Sequence, residues 1–531
     1  MDVKDAIRLG KTALGLELGS TRIKAVLIDE THAPIAAGTS SWENRLENGY
    51  WTYHIDEVWS GVQNAYADLC ADVEKQYGEK LETVGAIGIS AMMHGYLPFS
   101  ANGELLSPFR TWRNTTTARA AQELTELLQF NIPQRWSVAH LCQAVLDKEP
   151  YVGDIAFLST LACYVHWQLT GIKVAGVGEA SGMFPIDSLA CDYDGGMIAK
   201  ADAWLHAHEI PYGLRDVLPR VLAAGEDAGS LTEAGAKLLD PSGKLRAGIP
   251  LCPPEGDAGT GMAATNSVSP RTGNVSAGTS VFLMAVLEKP LAKVHEEIDM
   301  VTTPSGAPVA MVHVNTCTSD LNAWVSLLAE AMRLAGAKPT MDDVYTMLFQ
   351  QALLGDKDGG GLASFNCFAG EPVIGLKEGC PMLVRRPGAK MSLATFMRVQ
   401  IYAALSTLKA GTDILTDEEH VTLEKLYGHG GLFKTPEVGQ RLLAGALKTP
   451  VAVMETAGEG GPWGMALLAA YRLNRTQGET LGDYLANKVF HTAKSVCLSP
   501  DAADSEGFDA YLRTYKALLP AQRAAADVMK G

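Results

Sequence analysis

Apolar positions at the start of the chain fall in short runs cut by turn residues. Residues 12–18 read as a strand, Gly19-Ser20-Thr21 as a tight turn, 23–29 as a second strand and 34–42 as a third. The period then changes: Val58, Trp59, Val62, Ala65, Tyr66 and Leu69 recur at helical spacing behind Asp56, which reads as an N-cap. Residues 84–90 (VGAIGIS) form a short buried strand. Three strands, a helix and a fourth strand predict a mixed α/β layer.

From about residue 129 to 239 the pattern is helical and irregular, with Gly/Pro punctuation near Gly182 to Pro185. A new unit begins near Gly248, so the expected domains are 1–248 and 249–531. Residues 249–252 read as a strand running into Pro253-Pro254-Glu255-Gly256-Asp257. Residues 274–286 read as an apolar hairpin broken by Ala277-Gly278-Thr279-Ser280, and 308–315 as a further strand, with helices from about residue 319. A hairpin with a Gly-Ser/Thr turn thus occurs in both halves. That fits a duplicated nucleotide-gripping domain, and it also fits two ordinary hairpins.

Composition narrows the function. A chain of 531 residues exceeds one ordinary core. Its net charge of −16 repels phosphate backbones and anionic lipid, which argues against nucleic acid and membrane as partners. Nine cysteines without a C-x-x-C pair fit a reducing compartment. No run reaches the roughly 18 apolar residues of a membrane span, and no signal-peptide core is present at the N-terminus. The expectation is a soluble cytoplasmic protein.

Several segments carry candidate chemistry. In Glu17-Leu18-Gly19-Ser20-Thr21-Arg22-Ile23-Lys24, Gly19 lets the backbone approach an anion, while Ser20 and Thr21 offer hydroxyls and amides. Lys24 is a positive partner or a solvated charge, and Glu17 is a hard oxygen ligand suited to Mg²⁺. Asp257, between a strand and a small-residue helix, is a candidate general base or simply a helix cap. Met93 and His94 end a strand, as the floor of a polar-substrate pocket would, and Trp112 and Asn114 follow about twenty residues on. Gly430 and Gly431, in Gly428-His429-Gly430-Gly431, offer bare backbone to an adenosine, or form a plain turn. Gly458 to Gly464 opens a further small-residue helix.

Taken in order, these blocks resemble the FGGY carbohydrate kinases of the actin-like, hexokinase-like and heat-shock-chaperone ATPase superfamily, over about residues 13–515. The resemblance is carried by ELGSTRIK (17–24), GYWTYHIDEVWSGV (49–62), IGISAMMHGYLPFSANGELLSPFRTW (87–112), EASGMFPID (179–187), GDAGTG (256–261), AGTS (277–280) and GHGGLF (428–433). It implies an α/β fold of two actin-like, ribonuclease-H-like ATPase domains with a cleft between them. It further implies in-line transfer of a phosphoryl group from ATP, with Mg²⁺, to a ketopentose of the xylulose or L-ribulose type. Asp257 would be the base and, with Glu17, lie near the metal. Gly19, Ser20, Thr21, Lys24, Gly278, Thr279 and Ser280 would hold phosphates, Gly430 and Gly431 the adenosine, and Met93, His94, Trp112 and Asn114 the sugar. The chain departs from the family pattern at Glu17 (usually Asp), at Ala258 (usually an amide), after Trp112, and at His429. A non-kinase actin-like or chaperone-like ATPase and a sugar-sensing pseudokinase are the rival readings, and a homodimer is among the assemblies left open.

Overall fold

The computed structural model of the protein describes residues 1–455 and 460–529. It divides into two compact units, the first formed by Met1–Ser269, Met300–Val309 and the described part of Glu459–Thr492, the second by the remainder.

The first unit is built on a five-stranded sheet. Strands β1 (Ala13–Leu18), β2 (Arg22–Ile28) and β3 (Pro34–Ser41) form an antiparallel meander. Helix α1 (Ile55–Tyr77) leads to β4 (Ala86–Ala91), which pairs parallel to β1, and β5 (Glu255–Gly256) pairs parallel to β4. The order across the sheet is β5-β4-β1-β2-β3. Both faces are covered, so β1 and β4 are buried almost along their whole length rather than alternating. Gly38 of β3 admits α1, because a Cβ there would lie 2.2 Å from the Ala65 carbonyl oxygen. Gly15 of β1 admits a helix of residues 460–474 in the same way, with the Pro462 carbonyl oxygen at 2.1 Å from the missing Cβ. Asp56 does not cap α1. The N-cap is His54, and Asp56 sits inside the first turn, where its charge favours the helix dipole.

The second unit is built on a seven-stranded sheet of β6 (Thr272–Ala277), β7 (Val281–Val286), β8 (Ile298–Thr302), β9 (Pro308–Val314), β10 (Lys425–His429), β11 (Val451–Met454) and β12 (Ser495–Leu498), of which β8 from Met300 onward and the first two residues of β9 fall in the first unit's segment. Their order is β8-β9-β7-β6-β10-β11-β12. Within it β6 and β7 are antiparallel, while β10 is parallel to β6 and β11 to β10. The inner five strands therefore repeat the order of the first sheet, with an antiparallel hairpin followed by two parallel strands. The two glycine hairpins are equivalent parts of a duplicated architecture.

The expected boundary at 248/249 needs correction. The segment after it stays in the first unit because β5 completes that unit's sheet. The 249–252 strand is reduced to isolated bridges at Pro250 and Leu251, and the ladder forms only at Glu255–Gly256. The small-residue helix starts at Asp257 itself, as α2 (Asp257–Ala264), with Gly256 as N-cap. Helix α3 (Gly460–Asn474) is the one expected after Gly458, and residues 458 and 459 of that expectation lie outside the described residues. No helix among the described residues is long and apolar enough to cross a membrane.

Two core histidines make the first unit acid-sensitive. His140 and His166 are fully buried, and burial lowers their pKa to about 3 and about 4. The unfolded chain takes up these protons below about pH 6.5 while the fold does not, so their stabilisation is lost as pH falls through that window. Each contributes a slope of up to about 1.4 kcal/mol per pH unit. His166 Nε2 donates to the Ala228 carbonyl at 3.0 Å, a bond that a glutamine amide can replace. His166→Gln should therefore gain on the parent in melting temperature from pH 6.5 towards 4.5. A constant gap across that range would refute the assignment.

Candidate functional site

The β1–β2 turn is built to face outward with its donors. Gly19 N–H closes the turn onto the Arg22 carbonyl at 3.0 Å. The three turn carbonyls point inward: Gly19 O accepts Trp42 Nε1 at 2.7 Å, Ser20 O accepts the Tyr53 hydroxyl at 2.6 Å, and Thr21 O accepts Trp42 N–H at 3.2 Å. With its acceptors engaged, the turn presents the exposed Ser20 and Thr21 to solvent, an arrangement suited to an anion. The β6–β7 turn of the second unit repeats the device. Gly278 O accepts Thr318 N–H and its hydroxyl at 3.1 and 2.8 Å, and Thr279 O accepts Cys317 N–H at 2.7 Å. Gly430 lies against that turn with a positive φ of 97°, and a Cβ there would meet the Ala277 carbonyl oxygen at 2.5 Å. Gly431 is exposed beside it, and burial lowers the pKa of the His429 ring.

In the first unit the parallel strands bring three segments together. Glu17 and Glu255 both register with Ser90, so β1, β4 and β5 end side by side. Just past those ends, Met93 N–H donates to Asp257 Oδ1 at 3.0 Å. His94 follows in a left-handed conformation (φ 70°), its Nδ1 set 3.3 Å from the Gly182 carbonyl and its ring stacked on Trp136. Burial, and then the charge of Arg135, hold that ring well below the usual histidine pKa, so it is neutral. A neutral ring donating through Nδ1 leaves Nε2 to accept.

Four carboxyls crowd the same region. Burial raises Glu17 to about 7, helped by the negative charge of Asp257 and opposed by Lys24, its cross-strand partner. Burial raises Glu255 to about 8, against hydrogen bonds from the amides of Gly178 and Glu179. Glu179 is fully buried and raised well above the ordinary range by desolvation, with the nearby Thr160 hydroxyl tempering the shift. Neither the Glu179 carboxyl nor the Thr160 hydroxyl closes a hydrogen bond of normal geometry, so proximity here stops short of pairing. Asp257 is also raised, by burial, with backbone amides pulling the other way. Its surface is nevertheless open to solvent, so the carboxylate is reachable but set in dense protein that hydrates it poorly. Glu17 Oε2 is buried without a partner, and Glu17 feels the charge of Asp257. Two hard carboxylates, one with an orphaned oxygen, fit Mg²⁺, which is commonly held by one or two carboxylates with phosphate and water completing its shell. No cluster of three or more His, Cys, Asp or Glu suited to a metal exists among the described residues.

Met93, His94 and Asp257 are therefore brought together, with Glu17, Lys24 and the Gly19–Thr21 turn on the neighbouring strands. Asn114 is placed otherwise than expected. Its amide is consumed by backbone: Oδ1 accepts Trp51 N–H at 2.8 Å, and Nδ2 donates to the carbonyls of Trp51 and Thr111 at 2.9 and 3.0 Å. It is a buried strut with little left to offer a sugar. Trp112 is 40% exposed. Sequence reasoning missed Trp42 and Tyr53, which orient the turn, and Glu179 and Glu255. The glycines facing Glu255 make room for its carboxyl: a Cβ on Gly176 or Gly178 would lie 2.3 or 2.4 Å from it.

Two family models match the chain: the N-terminal domain of the FGGY family of carbohydrate kinases over residues 12–261 and its C-terminal domain over 273–473. The xylulose kinase of Escherichia coli is 25% identical over 297 residues, 53% of this chain and only 56% of that protein's length. The xylulose kinase of Haemophilus influenzae is 21% identical over 420 residues, 76% of this chain and 79% of that protein. The fold is similar to a solved structure described as a xyloylose kinase from Brucella ovis, with a TM-score of 0.77 and 19% identity over 97% of this chain and 99% of that one.

Proposed function

The chain belongs to the FGGY family of carbohydrate kinases, and on that premise we propose that it phosphorylates the terminal hydroxyl of a ketopentose with ATP in the cytoplasm. D-Xylulose, giving D-xylulose 5-phosphate, is the favoured substrate, and L-ribulose the second. One observation carries the reading: a solvent-reachable carboxylate, Asp257, held by the Met93 amide beside a neutral His94.

Phosphoryl transfer asks a protein for position and charge neutralisation more than for covalent chemistry. Asp257 takes the proton of the sugar hydroxyl as its oxygen bonds to the γ-phosphorus, and the bond to ADP breaks in line. The raised pKa of Asp257 makes it a stronger base than an ordinary carboxylate while leaving it able to ionise. Met93 and His94 orient the open-chain sugar, His94 through the ring nitrogen left free to accept. In the first unit the β1–β2 turn offers amides and hydroxyls suited to phosphate; in the second, the β6–β7 turn does the same and Gly430 and Gly431 offer bare backbone suited to an adenosine. Glu17 and Asp257 would hold Mg²⁺, which when bound neutralises phosphate charge.

A coupled ADP-release assay tests this directly. Slow ATP turnover alone should rise sharply with Mg²⁺ and one of D-xylulose, L-ribulose, D-ribulose, L-xylulose or L-fuculose. A flat response across that panel, from folded protein that binds ATP, would overturn the kinase reading.

A further inference from the structure

Arg113 stands beside this site. It is exposed, and no ion pair among the described residues includes it. It is nonetheless held in place. The guanidinium carbon lies 3.6 Å from the centroid of the Trp51 ring, a close cation–π contact. The backbone beneath is rigid, since Asn114 bonds both the N–H and the carbonyl of Trp51, and Thr111 N–H donates to that same carbonyl at 3.1 Å.

Its location follows from two short paths along the backbone. Trp51 and Tyr53 are two residues apart in extended chain, so their side chains share a face. Tyr53 is the residue whose hydroxyl holds Ser20 O in the β1–β2 turn. The charge of Arg113 reaches that hydroxyl, where it opposes the rise in pKa caused by burial. In the other direction, Arg110 and Tyr96 exchange backbone hydrogen bonds at 3.0 and 3.2 Å, which brings the 110–114 segment alongside the chain just past His94. Arg113 thus adjoins both the turn suited to anions and the segment suited to sugar. A guanidinium matches phosphate geometry with paired donors, and the Trp51 ring holds this one beside the turn.

We propose that Arg113 is a phosphate-binding residue of this site, hydrogen-bonding the phosphoryl oxygens during transfer and then the phosphate of the sugar-phosphate product. It forms no bond to phosphorus: the γ-phosphorus leaves ADP for the sugar oxygen, the hydroxyl proton goes to Asp257, and Arg113 only donates N–H to the equatorial oxygens. The inference rests on the sugar-kinase reading for the identity of the product, while the phosphate contact itself can be tested apart from it.

Arg113→Met keeps the side-chain stem over Trp51 and removes the charge, so its melting temperature should stay close to the parent's. Inorganic phosphate, titrated calorimetrically at constant ionic strength, should bind the variant about tenfold or more weakly than the parent. In the assay with the active ketose, kcat should fall by about 10–10³-fold, with the KM values for sugar and ATP little changed. Arg113→Lys should recover part of kcat, since the charge returns without the paired donors. A parent that binds no phosphate, a variant that binds it equally well, or a loss confined to sugar KM would each overturn the proposal. If Arg113→Met does not fold, Arg113→Gln read in the same two assays decides. Phosphate binding that depends on Arg113, in a protein that no ketose stimulates, would retain this inference and sink the substrate reading instead.

Discussion

Asp257→Asn should lower kcat by about 10²–10⁴-fold while sugar and ATP still bind and the melting temperature barely moves. Asp257 occupies the first position of α2, with Gly256 as the cap, so the substitution removes no side-chain cap. The bond from Met93 N–H needs only an acceptor at Oδ1, and the asparagine amide supplies one. Losing a negative charge from the first turn costs about 0.3–1 kcal/mol, and relief from a poorly hydrated carboxylate offsets part of it. What the amide cannot do is take a proton from a hydroxyl. Geometry is kept and chemistry removed, so steady-state kcat at saturating sugar, read beside a melting curve, separates a base from a merely structural carboxylate. A variant that melts like the parent and keeps more than a tenth of its turnover eliminates Asp257 as the base.

Much of this was legible because the informative signals were local. The two hairpins announce themselves by apolar runs broken at Gly-Ser and Gly-Thr, and both form where the pattern puts them. Asp257 and the Met93–His94 pair were marked by their places at strand ends. Long-range contacts left no such mark. Nothing local shows that Glu255 completes a sheet begun at Ala13, or that Asn114 is spent on the backbone of Trp51, 63 residues away. The misplaced boundary has the same origin: a two-residue strand carries too little periodicity to register, yet its pairing with β4 decides the unit to which Asp257 belongs. Glu179 was hidden for a different reason. Its carboxyl is buried against Gly256 and Met93, and a four-residue helix gives no amphipathic face from which to read burial.

Gly464→Ala should reduce kcat by about 10²-fold although residue 464 touches neither substrate. Helix α2, which carries Asp257 in its first turn, packs on α3 through this glycine: a Cβ at 464 would lie 2.1 Å from the Thr260 carbonyl oxygen and 2.8 Å from its carbon. Both are backbone atoms, so no rotamer change relieves the clash and the helices must separate by about 1 Å. Two effects compete. Alanine is favoured over glycine inside a helix by about 1 kcal/mol, whereas overpacking a tight interface costs about 1–3 kcal/mol. The clash should win, giving a modest fall in melting temperature. Its larger consequence is positional. A shift of α2 carries Asp257 away from the Met93 amide and from the sugar oxygen it must meet, and misplacement on the scale of 1 Å is worth about 10²-fold in rate. The KM for ATP should hold, because the contact lies between α2 and α3 and not in either phosphate turn. A variant that melts higher than the parent with undiminished turnover would mean that propensity outweighs the clash and that the α2–α3 contact does not set the position of the base.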